Sequence, residues 1–293
     1  MNHRIAKHAS SLLLFCTIIV QSALAQSSHQ NIALVELASH PVTIPMDFVL
    51  GKAAVALMIN GQGPHSFILD TGAAQSVIDK ALAEKLDLPV MRTGSLSSPG
   101  GEEFETEVVK ADSILFGDAL LTDAELTILD IPGAVGIRMA GVLSYRHFSN
   151  VLLTIDYASQ TISFEPGELN VEGPNTIHYK YSDEIPEITV KINKKNYPLH
   201  LDIGSPGIIT LPKDVADKLK FQSEPAFKGK ATLVDRAVNI YEGKLKGEIQ
   251  FAGLTLVNPI VGIIDLQFGQ IGQGFFRGKA LVIDQKNNLI RIR

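Results

Sequence analysis

The sequence predicts an all-β fold built as two copies of one lobe, and three observations carry that expectation. Beyond residue 40 there is little helix-length periodicity. Short β-rich runs (54–59, 66–69, 108–116, 151–164) are instead broken by Gly, Pro and Asn, the spacing of an all-β protein. Asn60-Gly61 stands between two such runs, a hairpin signal because both residues tolerate positive φ. And two stretches, one around Asp70 and the other around Asp202, match each other.

Taken in chain order, residues 1–25 read as a targeting segment. Arg4 and Lys7 precede the apolar run 11–20, and Ala23-Leu24-Ala25 supplies a small-x-small cleavage pattern. The run is too short for the roughly 20 residues that span a bilayer. Cys16 lies inside it and not at the cleavage point, which argues against a lipid anchor. The segment implies export to the periplasm or the extracellular space, with no membrane association after its removal. Residues 26–40 form a leader, 41–165 the first lobe, 166–175 a Gly-, Pro- and Glu-rich linker, and 176–293 the second lobe.

The repeat defines both lobes. Ala56-Leu57-Met58-Ile59-Asn60, a turn and Ser66-Phe67-Ile68-Leu69-Asp70-Thr71-Gly72-Ala73 recur as Thr189-Val190-Lys191-Ile192-Asn193, a turn and Pro198-Leu199-His200-Leu201-Asp202-Ile203-Gly204-Ser205. Each is followed by a short amphipathic helical word, Ala83 to Leu88 and Ala216 to Phe221, with Leu82/Leu86 and Val215/Leu219 spaced i, i+4. Agreement resumes where Val142-Leu143-Ser144 leads to Leu153-Thr154-Ile155-Asp156, and Gln270-Ile271-Gly272 leads to Leu281-Val282-Ile283-Asp284.

Composition narrows the function classes. The 293 residues carry a net charge of −5, and loss of residues 1–25 removes two basic residues and no acid, leaving −7. That balance disfavours a nucleic-acid binder. One cysteine, inside the targeting segment, excludes a disulfide framework and a cysteine-ligated metal. Trp is absent and aromatics are 6%, so sugar- or base-stacking platforms are not expected. The eight histidines show no metal-binding helix spacing, and no Gly-x-Ser-x-Gly elbow, phosphate loop or dinucleotide fingerprint occurs.

The chemistry gathers at Leu69-Asp70-Thr71-Gly72 and Leu201-Asp202-Ile203-Gly204. An apolar strand ending in Asp-x-Gly sets a carboxylate in a tight turn, where Gly lets backbone approach closely. One such turn per lobe would let the two aspartates meet at the lobe interface. Carboxylates that close share a proton, so one acts as base on a water while the other polarises a carbonyl. A single Asp-[Thr/Ser]-Gly arises by chance in about one chain of this length in ten. The paired words, the preceding apolar strands, the helices and the later apolar-apolar-Gly word make the signal specific.

On these residues the chain resembles the aspartic protease clan, in particular the bacterial retropepsin-like proteins with two pepsin-like lobes, over about residues 41–293. The resemblance implies two pepsin-like (retropepsin-like) β-barrel lobes with short helices after each Asp loop and a peptide cleft between them. It implies an aspartic endopeptidase that hydrolyses peptide bonds by a water activated between Asp70 and Asp202, with Thr71, Gly72, Gly204 and Ser205 supporting the dyad. Pro99, Gly100 and Gly101, in the turn word Ser97 to Glu102, would form a flap over substrate. No metal and no cofactor are implied; the partner is a peptide or protein substrate, and the internal repeat makes a homodimer unnecessary, so a monomer is expected.

Departures accompany the resemblance. Ile203 replaces the Thr or Ser whose hydroxyl would cross the interface, Ser144 stands where Gly272 has its counterpart, Pro206 removes a backbone donor near Asp202, and no tyrosine lies between Arg92 and Val109. Thr71 would then lack its hydroxyl partner, at about 1–3 kcal/mol if nothing replaced it. The alternative is accordingly a decayed protease-like protein that binds peptides without cleaving them. Asp156 and Asp284 are expected to cap turns, His200 to be structural or at the surface, and Lys191, Lys194 and Lys195 to mark a solvated hairpin.

Overall fold

The computed structural model describes residues 32–38, 41–97, 101–131, 139–173, 175–182, 184–233 and 236–293. The targeting segment 1–25 therefore lies outside the described residues, as do Pro99 and Gly100 of the expected flap. The protein is nearly all β, with curled, barrel-like sheets.

In the first lobe the strands are β1 (Glu36–Leu37), β2 (Val42–Pro45), β3 (Asp47–Val49), β4 (Lys52–Ile59), β5 (Gln62–Asp70) and β6 (Val77–Asp79). After helix α1 (Lys80–Lys85) come β7 (Val90–Leu96), β8 (Phe104–Phe116), β9 (Ala119–Leu129), β10 (Gly141–Ser144), β11 (Leu152–Asp156) and β12 (Thr161–Glu165). The second lobe has β13 (Thr176–His178), β14 (Lys180–Ser182), β15 (Ile185–Ile192), β16 (Lys195–Asp202) and β17 (Ile209–Pro212). Helix α2 (Lys213–Ala216) precedes β18 (Ala226–Thr232), β19 (Ala237–Lys244), β20 (Glu248–Phe251), β21 (Leu254–Val257), β22 (Ile260–Ile264), β23 (Gln270–Gly272), β24 (Ala280–Asp284) and β25 (Leu289–Ile292).

The lobe sheets repeat one topology. The order β9-β6-β10-β5-β4 of the first becomes β22-β17-β23-β16-β15 in the second, with β3 on β4 and β14 on β15. The long strand β8 of lobe one corresponds to two strands, β19 and β20, in lobe two. Both central hairpins turn on left-handed pairs, Asn60 (φ 48°) with Gly61 (φ 74°), and Asn193 (φ 46°) with Lys194 (φ 71°). Such pairs match the strand twist, and Lys191, Lys194 and Lys195 are exposed around the second.

A third sheet, β13-β25-β24-β11-β12-β2, joins the lobes. Its centre is an antiparallel pairing of equivalent strands, β11 with β24, in which Thr154 faces Val282. Pairing equivalents antiparallel gives the molecule a local twofold, the symmetry that can bring two matching turns together. The core runs through this joint as one cluster that includes Phe67, Phe148, Leu153, Leu201, Phe276 and Ile283. Phe116, Phe148 and Phe164 pack with centroids 4.7–5.8 Å apart, each such burial contributing about 1.5–3 kcal/mol.

Four expectations shift. The run 151–164 is two strands, because Tyr157 to Gln160 turn between β11 and β12. The helices begin and end earlier than their sequence words; α1 stops where Asp87 turns left-handed (φ 51°). Part of the leader belongs to lobe one: β1 pairs with β9, and Val35 is buried and donates to His147 O. Linker residue Leu169 is buried too, its N–H donating to Asp284 Oδ2 at 2.8 Å. Among the described residues no helix is long and apolar enough to cross a membrane.

Candidate active site

Each aspartate ends the inner strand of its lobe and is braced by a parallel neighbour. Asp70 ends β5 beside β10, where Ser144 is its partner in register. Asp202 ends β16 beside β23, where Gly272 is its partner. The apolar residues before each aspartate bury the strand, so the turn that follows is delivered to the lobe interface. There Asp70 and Asp202 are 2% and 3% exposed, and their carboxyl groups flank one point, the place of a Cβ on Gly72, at 3.2 Å from Asp70 Oδ1 and 3.0 Å from Asp202 Oδ1.

Two glycines make that meeting sterically possible. A Cβ on Gly72 would lie 2.9 Å from Asp202 Cγ and 3.0 Å from Oδ1. A Cβ on Gly204 would overlap the Asp70 carboxylate, 2.7 Å from Oδ1 and nearer still to Oδ2. Asp70 Oδ1 accepts the N–H of Gly72 at 2.7 Å and, across the interface, that of Gly204 at 3.2 Å. Ser205, buried in the same loop, donates its N–H to Asp202 O at 3.1 Å.

Thr71 is satisfied without a hydroxyl opposite. Its Oγ1 donates to Leu201 O at 2.6 Å and accepts the N–H of Ile203 at 3.0 Å. The backbone of lobe two therefore replaces the missing side chain, and the expected unpartnered hydroxyl is not found. Ile203 itself is fully buried among apolar residues.

Ser144 is also accommodated. Its Oγ donates to Ala73 O at 2.7 Å, and its N–H donates to Ser76 Oγ at 2.9 Å. In lobe two the corresponding contacts are all backbone: Gly272, Gln273 and Gly274 donate to Ile208 O, Ser205 O and Gly207 O. No side chain fits at Gly272, where a Cβ would sit 2.7 Å from Ser205 O.

Burial pushes both aspartates above the usual carboxylate range. For Asp70 the N–H groups of Gly72 and Gly204 and the charge of Lys52 pull the other way. For Asp202 repulsion from Asp70 adds to burial, and the charge of Lys52 opposes both. Burial, with the field of the two aspartates added, holds the Tyr157 phenol above its ordinary range as well.

Residues 55–147 match the family model for aspartyl proteases. No curated protein matches the chain. The aspartyl protease match runs from within β4 to the short 3₁₀ helix after β10, and so contains Asp70, Thr71, Gly72 and Ser144. Asp202, Gly204 and Ser205 lie beyond it and join the site through geometry alone.

Where the sequence suggests a flap, β7 and β8 form an antiparallel pair that closes to Leu96 opposite Phe104. Gly101, ahead of β8, is half-buried, and Gln75 Nε2 ties β7 to the Asp70 loop through Ser95 O at 3.1 Å. Asp156 caps a turn through the N–H groups of Ala158 and Ser159, and Asp284 accepts from Asn287. His200 is not a surface residue: it is buried and stacks on Phe268 at 4.6 Å. Two site residues escaped the sequence reading, Lys52 and Gln273. Lys52 is an isolated polar residue in an apolar run and Gln273 one of three spaced glutamines among glycines, signals that gain meaning only once the strands are paired.

Proposed function

We propose that the protein is an aspartic endopeptidase, exported to the periplasm or the extracellular space, that cleaves peptide bonds as a monomer. The observation that carries this reading is the hydrogen bond from Gly204 N to Asp70 Oδ1 at 3.2 Å, which ties two equivalent Asp-x-Gly turns from different lobes into one carboxyl pair. Asp70, with two N–H donors, is the member better suited to carry the negative charge. Asp202, raised by burial and by Asp70, keeps the shared proton.

From that state a water between the carboxyls attacks the scissile carbonyl carbon as Asp70 takes its proton, while Asp202 gives its proton to the carbonyl oxygen. The tetrahedral diol then collapses: one diol hydroxyl returns its proton to Asp202, the proton held on Asp70 passes to the leaving nitrogen, and the C–N bond breaks. The pair ends with one shared proton, as it began. The β7–β8 hairpin would close over the substrate and exclude water. A 360 Å³ cavity beside the Asp202 loop, lined by Pro206, Ile208, Ile240 and Ile264 among others, offers room for an apolar side chain.

The test is cleavage of a peptide library across about pH 3 to 7 by the purified protein, with Asp70→Asn and Asp202→Asn in parallel. Each variant should lose activity by about 10²- to 10⁴-fold, the range assigned to a positioned acid or base. Undiminished cleavage by Asp70→Asn would refute the assignment. Ile203 is the observation behind a second reading, a peptide binder that does not cut. Micromolar peptide binding with no hydrolysis at any pH would favour that one.

A further inference from the structure

Lysine is among the residues least often buried, and rarely without a charge partner. Lys52, the first residue of β4, is nevertheless 2% exposed. Its place follows from strand register. Ala54 faces Ile68 and Val55 faces Phe67; carried on toward the start of β4, the same register sets Lys52 opposite Asp70, on the same face of the sheet. In lobe two Glu187 faces His200 and Ile188 faces Leu199, which sets Ile185 opposite Asp202. The cation thus stands in one half of the repeated scaffold and not in the other.

Its backbone is held from the other lobe. The Gln273 side-chain amide accepts the N–H of Ala53 at 3.1 Å and donates to Gly51 O, bracketing Lys52 from the far end of the chain. The turn before it, with Leu50 and Gly51 left-handed, lies against Pro206 of the Asp202 loop: a Cβ on Gly51 would sit 3.7 Å from Pro206 Cβ.

We propose that Lys52 is a positioning residue of this site, whose buried ammonium, on a backbone held by the Gln273 clamp, sets the charge that the Asp70–Asp202 pair carries. This rests on reading that pair as the working centre. The argument is one of charge. Two buried carboxyls alone are cheapest when both are protonated, a state with no base. With one ammonium beside them, the cheapest state is the neutral trio of one carboxylate, one carboxylic acid and Lys52, which is the state that hydrolysis needs. The titratable groups around this centre include Asp70, Asp202, Lys52 and Tyr157, the last held neutral by burial, and His200, two residues before Asp202 on the same face of β16 and stacked on Phe268. Lys52 draws both carboxyls down against burial.

The test is to follow the aspartate carboxyl titrations by ¹³C NMR over about pH 2 to 9 in the wild type, Lys52→Met, Lys52→Gln and Lys52→Arg, with Asp70→Asn for assignment. In both neutral variants the two steps of the pair should move to higher pH by about one unit or more, the size expected for loss of an adjacent opposite charge. Lys52→Arg should stay near the wild type. Where cleavage is measured, both limbs of the pH–activity profile should move up together in Lys52→Met. Steps that stay put in a folded neutral variant overturn the proposal. Because titration needs no turnover, shifted steps in a protein that cleaves nothing would uphold Lys52 while defeating the peptidase reading.

Discussion

In lobe one, the residue opposite the aspartate is Lys52, the residue after it is Thr71, and its partner on the parallel strand is Ser144. In lobe two the same places hold Ile185, Ile203 and Gly272. Strand order is shared, so the backbone of the site is duplicated while its side-chain chemistry is not. Lobe one carries the cation and the hydroxyls. Lobe two answers with backbone: Leu201 O, Ile203 N and Gly204 N meet the polar groups of lobe one. A symmetric scaffold thereby holds an asymmetric pair, in which Asp70 accepts the N–H groups of both Gly72 and Gly204.

The steepest way to break the comparison is through the two glycines. Gly204→Ala would drive a methyl into the Asp70 carboxylate, whereas Gly72→Ala meets Asp202 less closely. Gly204→Ala should cost on the order of 4 kcal/mol, in the range reserved for severe core damage, and Gly72→Ala distinctly less. Urea unfolding midpoints of the two variants decide it. Equal losses would mean that the two loops approach each other symmetrically after all.

A smaller effect is expected at Thr71. Thr71→Val keeps the shape but leaves Leu201 O and Ile203 N without their partner, at about 1–3 kcal/mol. Thr71→Ser should recover most of that loss, because it restores the hydroxyl. If Thr71→Val unfolds at the wild-type urea concentration, the lobes are held by other contacts, such as Gln285 Nε2 to Tyr145 O at 2.7 Å.

How much of this could be read from the residues follows the range of the interactions. Asn60-Gly61 predicts its hairpin because a left-handed pair is a local property, and Asp70-Thr71-Gly72 predicts its loop for the same reason. The return of these words in the second half of the chain, at Asp202-Ile203-Gly204, then implies that the aspartates meet, since a twofold carries one turn onto the other. What did not show was who stands beside whom. Lys52 begins the strand before the one that ends in Asp70, and Gln273 comes long after Asp202; only sheet pairing gives either a role. His200 could be read as structural or at the surface, and only its stacking on Phe268 decides for the first. The helix words run to Leu88 and Phe221, but the helices end at Lys85 and Ala216, and Asp87 turns left-handed after the first.

The gentlest expected change sharpens the asymmetry most. Asp202 binds its proton more tightly folded than unfolded, so between its ordinary value of 3.8 and its raised one the native state loses stability as pH rises. Asn carries no such charge to desolvate. Asp202→Asn should therefore be more stable than the wild type at pH 7, and the gain should fade as pH falls below about 4, where the wild-type group is protonated in both states. Asp70→Asn should gain less, because it gives up the carboxylate that accepts from Gly72 and Gly204. Urea midpoints at pH 7 and pH 4 for both variants separate the cases. A larger gain at Asp70 would move the strain, and with it the resident proton, to the other lobe.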